Sequence, residues 1–199
     1  QSAYSNMPVA SSAEANGKQV VRFATSPRMS SYLLHLTVGD LERISRKAAG
    51  VEIGIVTRKG AAEKGRVALD AAVEILPWYN DYFGTSYPLP KLDMIAVPGT
   101  SQFFGAMENW GAIMYFEQAL LMDPQLSSES DRLNVYDAVA HEMAHQWFGN
   151  LVTMDWWDDL WKGWTFQHAY LLGHGVQIRG GNEARTAAGR HAAAQKADA

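Results

Sequence analysis

The spacing of apolar and polar positions divides the chain into stretches of different period. Residues 1–18 are small and polar, contain Pro8 and Gly17, and predict a loose arm or loop. A short apolar run at 20–23 follows. Residues 31–38 then predict a buried strand, and 51–57 predict another, punctuated by Gly50 and by Lys59-Gly60. This first part predicts a piece of β-sheet, too small by itself to close a core. After Gly60 the period changes. Val67, Leu69, Ala72, Val73, Leu76 and Tyr79 recur at helical spacing, Pro77 predicts a kink or an end, and Gly84 a stop. Residues 87–90 predict a rigid connector. Residues 92–97 predict a strand, Pro98-Gly99 a turn, and 111–116 one more strand.

Residues 127–131 carry the hydroxyl and acidic side chains that cap a helix N-terminus. A helix is expected over about 132–148, with Gly149 just past its end. Its apolar stripe is read as Leu133, Tyr136, Ala140, Met143, Ala144 and Trp147. Composition shifts at Trp161-Lys162 toward Ala, Gly and Arg. Residues 175–199 are expected to be poorly ordered, or helical only where Ala dominates.

The whole chain has 199 residues, 47 % of them hydrophobic and 19 % charged, which is a globular balance. Net charge is −4 without a basic block, so no nucleic-acid partner is expected. No run is long and apolar enough for a spanning helix, so no membrane segment is expected. There is no cysteine, which excludes thiolate zinc sites and thiol nucleophiles and leaves His, Asp and Glu as metal ligands. A cysteine-free chain suits the cytoplasm without requiring it, and the compartment stays open. The chain starts at Gln1 with no signal-peptide pattern, and the native start is expected to lie elsewhere. Six of the seven tryptophans fall between Trp110 and Trp164, and those after the candidate metal helix are expected to pack rather than react.

His141-Glu142-Met143-Ala144-His145 matches H-E-x-x-H inside the best-predicted helix. Spacing i, i+4 puts both imidazoles on one face, one turn apart, where they can bind one zinc ion. Glu142, next to the first ligand, is placed to take a proton from the attacking water as general base. A chain of this length meets the pattern by accident roughly once in a hundred. A second element comprises Gly105, Ala106, Met107, Glu108 and Asn109, just before a predicted strand. Unaided, it reads as an ordinary turn with a solvated Glu rather than as a site for a cationic ligand group.

Taken together, Gly105-Ala-Met-Glu-Asn109 and, some thirty residues on, His141-Glu-Met-Ala-His-Gln-Trp-Phe-Gly-Asn150 closely resemble the zinc-dependent alanyl/leucyl aminopeptidases, a branch of the gluzincin metallopeptidases. The likeness spans roughly residues 5–161 and includes 79–93 and 151–161. It implies one Zn2+ held by His141 and His145, with Glu142 polarising the water. It implies Glu108 binding the free α-amine of a peptide substrate, with Gly105, Ala106, Met107 and Asn109 lining that substrate. A buried carboxylate selects a cationic end because an uncharged one would leave it unpaired.

The family's third zinc ligand is a glutamate nineteen residues after the second histidine, and here that position is Trp164. An indole nitrogen only donates and cannot ligate zinc. Asp159 and His168 are the candidate substitutes. Tyr170 lies too close to serve as the family's oxyanion tyrosine. The family's helical C-terminal domain and most of its N-terminal β domain are absent, so the chain reads as truncated at both ends. The likeness stops within a residue or two of Trp161, as a truncated or frame-altered product would. The expected fold is α+β: a thermolysin-like catalytic-domain fragment with a mixed sheet and zinc helix over 59–174, preceded by a β-domain remnant over 1–58 and followed by a tail over 175–199. The expected function is zinc metallo-aminopeptidase. The alternative is a catalytically impaired zinc- or peptide-binding fragment. A purely structural fragment with exposed apolar faces is a third reading.

Overall fold

In the computed structural model the described residues are 1–153, except Phe103 and Pro124. The resemblance to the family's third-ligand region, with Asp159, Trp164, His168 and Tyr170, lies outside them. So do the chain's tail and the break after Trp161.

The described part is a mixed α+β fold, as expected. Its centre is a five-stranded sheet in the order β5-β6-β7-β9-β8. Strands β5 (Leu41–Ala48) and β6 (Val51–Arg58) form an antiparallel hairpin. β6 runs parallel to β7 (Lys91–Val97), and β7 parallel to β9 (Ala112–Phe116). The two-residue β8 (Ala106–Met107) pairs antiparallel with β9 at the edge. Strands from either side of residue 58 therefore share one sheet. A parallel β6–β7 pair needs a crossover. That crossover is helix α1 (Arg66–Phe83), which buries Ala68, Leu69, Ala72, Ile75, Leu76 and Tyr79.

The expected strands at 51–57, 92–97 and 111–116 correspond to β6, β7 and β9. Elsewhere the structure corrects the reading. The polar arm at 1–18 contains β1 (Ser2–Ser5) and β2 (Val9–Ala15). β2 pairs with β3 (Lys18–Phe23) through Asn16 and Gly17, both at positive φ, a primed-turn pattern. The strand expected at 31–38 is instead a short 3-10 turn over Ser31–Leu33 followed by β4 (Leu36–Gly39), which pairs with β1. Pro77 neither ends nor interrupts α1, which continues six residues further. Leu76 and Tyr79 on either side of the proline are fully buried, and that packing outweighs one lost backbone bond. Gly84 does end α1, in the left-handed conformation at φ +61°.

After a single turn of helix, α2 (Glu117–Leu120), the chain enters α3 (Glu129–His145). Ser128 caps it in a full capping box with Asp131. α3 starts three residues earlier than expected and stops three earlier. The turn that follows bends back through Gly149 N–H to Val152 C=O (2.8 Å), with Gly149 at φ +124°. The predicted stripe is right at Tyr136, Ala140, Met143, Ala144 and Trp147. Leu133, however, is half exposed, and Val135 and Val139 take its place in the core. α1 and α3 pack together where the Tyr79 hydroxyl donates to the Ala140 carbonyl at 2.9 Å. No helix among the described residues is long and apolar enough to cross a membrane.

Candidate metal centre

Both histidines of the predicted pair sit on the last turn of α3, facing one another. His145 Nε2 lies 3.2 Å from His141 Nε2. His145 Nδ1 lies 3.1 Å from the Phe148 carbonyl. A carbonyl only accepts, so Nδ1 carries the proton and Nε2 presents its lone pair to His141. Burial, the dominant effect, lowers the pKa of His145, against the opposing pull of Glu108 and of the Phe148 bond. The ring is thus held neutral, the form that ligates metal.

Two carboxylates converge on His145. The ligand atoms of Glu108, Glu142 and His145 lie within 4.8 Å of one another. Glu142 is buried, and burial followed by the charge of Glu108 pushes its pKa up to about 8. Its Oε2 has no hydrogen-bond partner among the described residues. A buried carboxylate oxygen without a donor suits a site completed by a cation and water. The hydroxyl of Tyr115, on β9, is likewise buried without a partner, and its pKa is pushed well up by burial and then by Glu142.

The donor set fits zinc. Two nitrogens each about 2.05 Å from one tetrahedral zinc stand about 3.3 Å apart, and the observed separation is 3.2 Å. His141 and His145 would hold the ion, with Glu108 and Glu142 as the carboxylates at hand.

The second predicted element is on the sheet edge. Gly105 accepts from Phe116 N–H at 3.0 Å, Ala106 and Met107 form β8, and Glu108 and Asn109 follow it. Asn109 is buried and accepts from Ala112 N–H at 3.1 Å. All the predicted site residues therefore lie on two neighbouring elements, the β8 edge and the end of α3.

The residues that join those elements are amides to which the sequence pattern gives no chemical role. Gln146, fully buried, donates from Nε2 to the carbonyls of Glu108 and Glu142, both at 3.2 Å. Its Oε1 accepts from Gly111 N–H at 3.1 Å. Asn150 Nδ2 donates to the same Glu108 carbonyl at 2.9 Å. From the other side, Asn6 Nδ2 donates to the carbonyls of Leu33 (2.8 Å) and Trp110 (2.9 Å). Lys91, paired with buried Asp93 at 2.9 Å, donates to the Gly111 carbonyl at 2.7 Å. The available signal was polar residues set among aromatics that must be buried, as in Gln146-Trp147-Phe148.

The end of α3 thus carries two facing imidazoles and a buried acid, beside the sheet-edge segment that holds Glu108. The description "Peptidase family M1 domain" matches residues 67–188, more than half of the chain. The chain belongs to peptidase family M1. Among curated relatives, it is 51% identical over 160 residues to Aminopeptidase N of Acetobacter pasteurianus, covering 80% of this chain and 45% of the relative. It is 50% identical over 162 residues to Probable aminopeptidase 2 of Sulfurisphaera tokodaii, covering 81% and 20%. It is 52% identical over 162 residues to the Puromycin-sensitive aminopeptidase of Caenorhabditis elegans, covering 80% and 17%. The chain thus spans less than half the length of each of these relatives.

Proposed function

We propose that this chain carries the metal-binding and amine-binding core of a zinc metallo-aminopeptidase, which removes N-terminal residues from peptides. The observation that carries the reading is the facing pair of His141 and His145, with Glu142 and Glu108 converging beside it. Family membership supports it, as do the relatives' names. The five-stranded sheet and α3 are read as part of a thermolysin-like catalytic domain, to which β5 and β6 then belong. Any β-domain remnant is confined to the strands before them.

Zinc held by His141 and His145 would supply Lewis acidity, polarising the scissile carbonyl and acidifying water. The rest falls to this chain's own residues. Glu142 accepts a proton from the attacking water and passes it to the departing amine, so the bond is hydrolysed with no net proton change at Glu142. To act as base it must be ionised, and a neighbouring dication lowers the pKa that burial has raised. Glu108 binds the α-ammonium of the substrate. The edge strand β8, with Gly105 before it and Asn109 after it, lines the peptide. In this way the distance from Glu108 to the histidine pair limits cleavage to the first residue.

The test is release of chromophore from an aminoacyl-nitroanilide. We expect release that stops with chelator, returns with zinc, and is absent in Glu142→Ala. Release indifferent to chelator contradicts the reading. Trp164 at the family's third-ligand position favours a second reading, an impaired zinc- or peptide-binding fragment. Bound zinc without release would select it.

A further inference from the structure

We infer that Gln146, seconded by Asn150, is a positioning residue that sets the spacing between Glu108 and the metal-binding turn of α3, and with it the preference for a free amine. The inference rests on the proposed role of Glu108. It starts from a feature that role does not explain. Glu108 follows a strand of only two residues, at the outer edge of the sheet. Such a short strand has too few ladder bonds to fix the residue after it. Gln146 supplies the missing constraint. Its one amide group spans three backbone groups: the carbonyl of Glu108, the carbonyl of Glu142, and the N–H of Gly111. Carbonyls only accept and an N–H only donates, so these partners also fix which way the amide faces.

The chemistry is specific to this side chain. Two of the contacts need a donor and the third an acceptor, about four bonds from the backbone of the residue directly after His145. Glutamate keeps the length and the acceptor for Gly111 but turns an acceptor toward two carbonyls. Methionine keeps the volume and loses all three bonds. Asn150 adds a second donor to the Glu108 carbonyl alone, at 2.9 Å. Both sit in the five-residue stretch after the second imidazole. The link from metal ligand to amine-binding acid is therefore short, buried and made of directional bonds. Small displacements of a positioned group cost large factors in recognition.

The experiment uses the full chain loaded with zinc and two probes that cannot be hydrolysed: leucinol, with a free amine, and N-acetyl-leucinol. Affinities are read by calorimetry, and zinc content by mass spectrometry. Glu108→Gln serves as reference. For the native chain we expect leucinol to bind at least tenfold more tightly than its acetylated form, and Glu108→Gln to abolish that preference. Gln146→Glu and Gln146→Met should keep native zinc content yet lose most of the preference, and Asn150→Asp part of it. Gln146→Met and Gln146→Glu that hold zinc and retain the full preference overturn the inference. If Gln146 variants fail to fold, Asn150→Asp decides it, and an unchanged preference there is contradictory. A native chain with no preference, matching Glu108→Gln, instead removes the role of Glu108 and the inference with it.

Discussion

Single residues decide how close the two site elements come. Gly111 shows this most sharply. It follows the 105–109 segment, has φ +77°, and is held at its N–H by Gln146 and at its carbonyl by Lys91. A Cβ there would meet the Asn6 backbone oxygen at 2.6 Å and Leu89 Cδ1 at 2.8 Å. Gly111→Ala combines left-handed strain with overpacking and should cost about 2–4 kcal/mol in urea unfolding. Gly84 has a similar φ, +61°, but nothing within 4 Å. Gly84→Ala should therefore cost only about 1 kcal/mol. Equal costs at the two sites would show that close approach is not what requires Gly111.

At the scale of elements, α3 presents both imidazoles, and its start is fixed by sequence-local chemistry. Ser128 accepts from Asp131 N–H at 3.2 Å while the Asp131 carboxylate accepts from Ser128 N–H at 2.7 Å. Ser128→Ala should destabilise the protein by about 1 kcal/mol in denaturant titration and leave zinc affinity unchanged, since the cap lies at the opposite end of the helix. A cap variant that also lost zinc would tie the site to fraying of the whole helix. Legibility divides along the same line. α1, α3 and the central strands were readable because each buries an apolar stripe or run. β2 was not, because all seven of its residues are exposed, and the apolar run at 20–23 lies on its partner β3 rather than on it. Its only signal was Asn16-Gly17. β5 was missed because Glu42, Arg43, Arg46 and Lys47 make it look like loop. In the sheet Arg43 instead joins Asp93 at 2.9 Å through Nε. The candidate site was legible in its chemical residues and silent in its supports. Gln146 and Asn150 act through backbone groups brought near only by the fold.

Over the molecule as a whole, the sheet and α1 serve to carry one edge segment and one helix end to the same spot. Lys91 and Asp93 in β7, Asn6 near the N-terminus and Gln146 after α3 all converge on residues 108–111 from separate parts of the sequence. Such long-range convergence keeps the acidic edge beside the histidine pair without a metal having to draw them together. The site should then bind zinc as a formed cradle, with loss of the ion leaving most of the fold in place. The most direct measurement is the zinc content of protein purified without metal affinity steps, before and after a competing chelator, for the native chain and for His141→Ala/His145→Ala. The account predicts about one zinc per chain in the native protein, removed by chelator with secondary structure retained, and none in the double variant. No zinc in the native chain, or equal zinc in the double variant, would contradict it.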